Sequence, residues 1–137
     1  MTPIDASTEV GRRFVTAIAT RDWAGLATLF APETRFRALT SGRNAFREHL
    51  DPAAAAGQIE AWFKDGDVHE LLESSVERIE TRVHVRYRIR NHELDGWFLV
   101  EQQAYLTPGP AGLIACDLIC SGFQPTAAPE PVTGPDL

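Results

Sequence analysis

Between Arg82 and Arg90 polar and apolar side chains alternate, with Val83, Val85, Tyr87 and Ile89 falling between five polar residues. A period of two sends successive side chains to opposite faces, so the segment reads as a strand with one buried and one solvated face. Trp97 to Thr107 and Leu113 to Ser121 continue in the same way, separated by the turn-forming stretches Asn91 to Gly96 and Pro108 to Gly112. Three consecutive antiparallel strands are therefore predicted. Setting Arg86 opposite Glu101, and Gln103 opposite Asp117, sorts their side chains. Val83, Val85, Tyr87 and Ile89 share a face with Phe98, Val100, Gln102, Ala104 and Leu106, and Ile114, Cys116, Leu118 and Cys120 join them. The opposite face collects His84, Arg86, Arg88, Glu101, Gln103, Tyr105, Asp117 and Ile119, whose charges complement one another across strands. A slip of one residue would send a whole strand to the wrong face.

The pattern upstream is helical. Ser7 or Thr8 caps a helix running to about Thr20, with Val10, Phe14, Ala17 and Ile18 on one stripe. Asp22 caps a short second helix carrying Trp23, Leu26, Leu29 and Phe30, which Pro32 closes. Thr34 to Leu39 alternates as a strand, Phe36 and Ala38 on one side and Arg35 and Arg37 on the other. In the less regular stretch that follows, Asn44 to Leu50 fits one or two helical turns, and Asp51-Pro52 interrupts them. Gln58 to Lys64 is a helix presenting Ile59, Trp62 and Phe63, and Val68 to Val76 is a strand of weak alternation. The inward parity of that strand, and so the facing of His69 and Glu70, stays open. From Gln124 to Leu137 prolines, alanines and polar residues dominate, the composition of a disordered tail behind a single domain of residues 1–123.

Bulk properties narrow the function. A chain of 137 residues is most simply one domain, and 44% hydrophobic with 23% charged residues is ordinary for a globular protein. A net charge of −6 argues against nucleic acid as a partner, which needs a basic face. No apolar run has the length of a membrane span and no signal-peptide pattern opens the chain, so the expectation is a cytoplasmic protein without a membrane partner. Cys116 and Cys120, four residues apart on one strand, are about 13 Å apart at strand rise, too far for a mutual bridge. They read as core residues, and no cysteine–histidine cluster suits a metal. Neither a phosphate-binding glycine loop nor a nucleophile elbow is present, and no metal or organic cofactor is expected.

Three stretches carry a resemblance. Arg21-Asp22-Trp23-Ala24-Gly25-Leu26 through Leu29-Phe30-Ala31-Pro32, then Gly57-Gln58-Ile59-Glu60-Ala61-Trp62-Phe63, then Cys120-Ser121-Gly122-Phe123-Gln124-Pro125 occur in the order found in the nuclear transport factor 2-like superfamily. Together they span about Val10 to Pro125, and the chain resembles the SnoaL-like members. The resemblance implies an α+β cone, about three N-terminal helices packed on a strongly curved antiparallel sheet around a pocket, commonly paired as a homodimer. The superfamily includes ketosteroid isomerases, polyketide cyclases, epoxide hydrolases, dehydratases and non-catalytic modules, so the fold alone does not choose.

Carried over residue by residue, the ketosteroid isomerase set is missing: Phe14 stands for its helical tyrosine, Ala38 for its base, and Gln102 or Gln103 for its protonated acid. The carboxylates matching the cyclases and epoxide hydrolases are Glu101 and Asp117. They act as an acid–base pair only if turned inward, and parity instead puts them outside, paired with arginines. His49, over the expected mouth, is a lid base or a solvated histidine. Tyr87 and Gln102 are the main polar groups of the apolar face and orient a ligand oxygen, or bond to each other. Phe14, Phe36, Trp62 and Cys116 complete the expected ligand-binding lining, with core packing as their ordinary alternative. The expected function is binding of a small apolar oxygenated molecule in the cone, with cofactor-free cyclisation or isomerisation of a polyketide-like intermediate as its reaction. The alternatives are a non-catalytic ligand- or partner-binding module, and an epoxide hydrolase or cyclase using Glu101 and Asp117.

Overall fold

A computed structural model describes residues 6–42 and 45–130. Helix α1 (Ala6–Ala19) buries Phe14, Val15, Ala17 and Ile18. It meets the sheet closely at Gly11, where a Cβ would lie 2.7 Å from the Val76 side chain and 2.8 Å from Val83. Helix α2 (Trp23–Ala27) begins where Asp22 Oδ1 accepts the Gly25 N–H at 2.9 Å. Strand β1 (Phe30–Leu39) and the short β2 (Phe46–His49) follow. Helix α3 (Pro52–Phe63) starts with Asp51 accepting the Ala54 N–H at 2.8 Å and Pro52 in the first turn, where its missing N–H costs nothing.

The remaining strands are β3 (Val68–Ile79), β4 (Arg82–Glu93), β5 (Gly96–Gly109), β6 (Gly112–Cys120) and β7 (Gln124–Thr126). They form one curved, open seven-stranded sheet in the order β2-β1-β6-β5-β4-β3, with β7 pairing beside β5. The helices lie against its inner face, where Phe14, Ile18, Phe36, Ile59, Phe63, Val85, Tyr87, Ile89 and Leu118 form a continuous core.

The strand pattern is observed as read, with corrections. Arg88, not Arg86, lies opposite Glu101, and Tyr105, not Gln103, lies opposite Asp117. Both shifts are by two residues, so parity is kept and the two faces survive. Ile114 is the exception: a register shift between Thr107 and Pro108 turns Leu113 into the core and leaves Ile114 38% exposed. The sheet is mixed rather than wholly antiparallel, because β1 runs parallel to β6. Only α1 and α2 precede the first strand, and α3 enters after β2. Phe46 to His49 is a strand paired with Leu39 to Phe36, not a helical turn, and Arg43 and Asn44 lie outside the described residues. Asp51-Pro52 starts α3 rather than interrupting a helix. Gln124 to Thr126 pair with Leu99 to Trp97, so a boundary after Phe123 falls at the start of β7; residues 131–137 of the expected tail lie outside the described residues.

Candidate functional site

Tyr87 and Gln102 are direct partners across β4 and β5 and are both 1% exposed. The Tyr87 hydroxyl donates to Gln102 Oε1 at 2.5 Å, and Gln102 Nε2 donates to Cys120 Sγ at 3.3 Å. Burial and the neighbouring Cys116 and Cys120 push the Tyr87 hydroxyl well above its ordinary pKa, so it stays a donor. This clasp lies on the inner wall. Phe14, its ring 6.4 Å from that of Tyr87, Phe36 and Cys116 belong to the same core and have no exposure to solvent. Burial raises the Cys116 thiol far above the ordinary range, the mark of an inert core cysteine.

The outer face takes the carboxylates. Asp117 accepts from Arg37 Nε at 2.7 Å. Glu101 accepts from Arg88 Nη2 at 2.8 Å, and Glu73 stands 3.6 Å from the same guanidinium. The register shift lies upstream of Asp117, between Leu113 and Ala115, and leaves Asp117 on this face beside the exposed Tyr105 and Ile119. Glu101 and Asp117 are therefore not brought together on the inner face of the sheet. His49 sits on β2 with Nε2 3.1 Å from Gln58 Oε1 on α3, its ring 6.0 Å from Phe36. Trp62 is half-buried and lines an open groove with Phe98 and Phe123.

Two inner-face residues complete the picture. His69 and Asn91 are direct partners across β3 and β4, and side chains directly opposite share a face. The His69 Nε2–H donates to the Ile18 carbonyl at 2.8 Å, a bond only the protonated nitrogen can make. Nδ1 then carries the lone pair, is buried, and has no partner. Burial, and more weakly Arg21, pull His69 below its ordinary pKa and keep the ring neutral, although the Ile18 bond works the other way. Asn91 is 0% exposed, and neither its Oδ1 nor its Nδ2 is hydrogen-bonded. A donor and two acceptors thus stand together in an apolar wall, at a cost of roughly 1–3 kcal/mol for an unpaired buried amide. The sequence pattern leaves the facing of His69 open and puts Asn91 in a turn. The odd-numbered alternation of β4, continued one step past Ile89, would have placed Asn91 inside. Among the described residues no cluster of three or more His, Cys, Asp or Glu side chains has the spacing to hold a metal ion.

No protein-family sequence model matches the chain, and no curated protein sequence matches it. Solved structures do match. Bal32a, from a soil-derived mobile gene cassette, superposes with a TM-score of 0.70 at 16% identity, over 85% of this chain and 89% of its own. A Catenulispora acidiphila protein with a ketosteroid isomerase-like fold, in complex with trimethylamine, gives 0.66 at 13% identity over 83% and 86%. A Shewanella putrefaciens protein whose name assigns it as a SnoaL-like polyketide cyclase gives 0.66 at 8% identity over 87% and 92%. The likeness is one of fold: this chain shares the fold of structures described as ketosteroid isomerase-like and SnoaL-like.

Proposed function

We propose that this protein binds a small, apolar, oxygenated molecule against the inner face of its cone. The observation that supports this most is Asn91, wholly buried with both ends of its amide unbonded. A core serving stability alone would carry an apolar residue there, since an unpaired buried amide destabilises and an isosteric hydrocarbon does not. Tyr87 and Gln102, bonded to each other, fix the adjacent wall, with Phe14, Phe36 and Cys116 as its apolar lining and Trp62 at the rim. The neighbours' names, polyketide cyclase and ketosteroid isomerase, support cyclisation or isomerisation as the reaction, which we propose runs on a polyketide-like molecule without a cofactor. A non-catalytic ligand-binding module is the second reading, favoured by the ion-pairing of Glu101 and Asp117 on the outer face. Epoxide hydrolysis through that pair would need both carboxylates inside.

The test is a titration with flat aromatic alcohols and ketones, followed by the fluorescence of Trp62 in a variant with Trp23 and Trp97 replaced by phenylalanine. Saturable binding to the parent protein, weakened about tenfold by Asn91→Leu, is the expected result. Binding to neither the parent nor the variant would count against the proposal.

A further inference from the structure

Asn91 has neighbours on both sides in the sheet, His69 on β3 and Phe98 on β5. Directly opposite side chains share a face, so His69, Asn91 and Phe98 stand in one row across three strands. Phe98 also lines an open groove of about 350 Å3 together with Trp62 and Phe123. Ring contacts join that groove to the polar end of the row: Phe98 to Phe123 at 6.2 Å, Phe123 to Phe63 at 5.9 Å, and Phe63 to His69 at 5.1 Å. Gly66 leaves the Asn91 amide its space, since a Cβ there would lie 2.7 Å from Oδ1 and 2.9 Å from Nδ2.

The unpaired atoms state what a ligand must offer. Asn91 Nδ2 needs an acceptor, while Asn91 Oδ1 and His69 Nδ1 need donors. A hydroxyl on a flat ring meets both demands with one oxygen, its proton donated to Nδ1 or Oδ1 and its lone pair accepting from Nδ2. The charged residues lining the groove are Asp65, Glu93 and Asp95, all acidic, so an anion is repelled on entry. Resting on the ligand-binding reading above, we propose that His69, Asn91 and Phe98 form a binding site entered through the Trp62–Phe98–Phe123 groove. It selects uncharged, flat molecules bearing a phenol- or enol-type hydroxyl.

Three probes of one shape test it near neutral pH: 2-naphthol, naphthalene and the anion 2-naphthoate. In the unmodified protein 2-naphthol should bind about tenfold more tightly than either of the others, and should shift the 15N resonance of His69 Nδ1, which naphthalene leaves in place. Asn91→Leu should remove that preference for 2-naphthol over naphthalene. His69→Gln, which keeps a donor for the Ile18 carbonyl, should weaken 2-naphthol about threefold and leave naphthalene unchanged. Equal binding of 2-naphthol and naphthalene, or 2-naphthoate binding as well as 2-naphthol, would overturn the assignment. So would tight 2-naphthol binding indifferent to both variants, which would leave the cone as a ligand site and move it away from Asn91. If none of the three probes binds, the ligand-binding reading itself falls and takes this site with it.

Discussion

Residue by residue, the inner face separates satisfied polar groups from unsatisfied ones, and the two kinds predict opposite responses. The Tyr87 hydroxyl is the donor to Gln102 Oε1, so Tyr87→Phe strands a buried acceptor. It should cost about 1–3 kcal/mol in urea unfolding, where a structural idler would cost almost nothing. Asn91→Leu should do the reverse and stabilise the fold by roughly the same amount, because it removes an amide that bonds to nothing. His69 adds a pH dependence with a definite sign. Its folded pKa lies below the ordinary 6.5, so as pH falls through that value the unfolded chain takes up a proton that the folded chain refuses. Stability therefore falls on acidification from about pH 7, and His69→Gln should flatten that part of the melting-temperature profile. A profile unchanged by the substitution would show His69 freely solvated.

Among the elements, the sequence made regular alternation legible and left its interruptions hidden. Strands β4, β5 and β6 are recognisable because one face is buried along their length, and a two-residue error in pairing costs nothing in facing. Alternation alone puts Ile114 on the wrong face because a bulge reverses parity without any change of composition. Strand β2 is hidden for a related reason: four residues, half of them charged, carry too short a pattern to tell a strand from a helical turn. Asp51-Pro52 shows how one dipeptide serves two readings, a break within a helix or the start of one. Asp51→Ala removes the cap on the Ala54 N–H and should cost about 0.5–2 kcal/mol, measurable by thermal unfolding. The inner face is legible as an apolar wall with Tyr87 and Gln102 on it. Its unsatisfied members are not, since orphaned hydrogen bonds exist only once three strands and a helix have been brought together.

At the scale of the whole molecule the sheet has one face packed on helices and one left open. The open face carries Leu39, Phe46, Tyr105 and Ile119 exposed alongside the Arg37–Asp117 and Arg88–Glu101 pairs. A second copy of the chain is the partner proposed for it, since paired charges around apolar groups suit a self-complementary surface. Light scattering at micromolar concentration should give the dimer mass, and Ile119→Glu should return the monomer; a monomer in the unmodified protein would refute this. The central claim lies on the other face, that the buried amide of Asn91 is kept for a ligand. Melting the parent protein and Asn91→Leu, each with and without saturating 2-naphthol, tests it most directly. The parent should melt at the lower temperature alone and gain several degrees with 2-naphthol, whereas the leucine variant should start higher and gain almost nothing. Equal gains in both proteins, or a leucine variant that melts lower than the parent, would contradict the account.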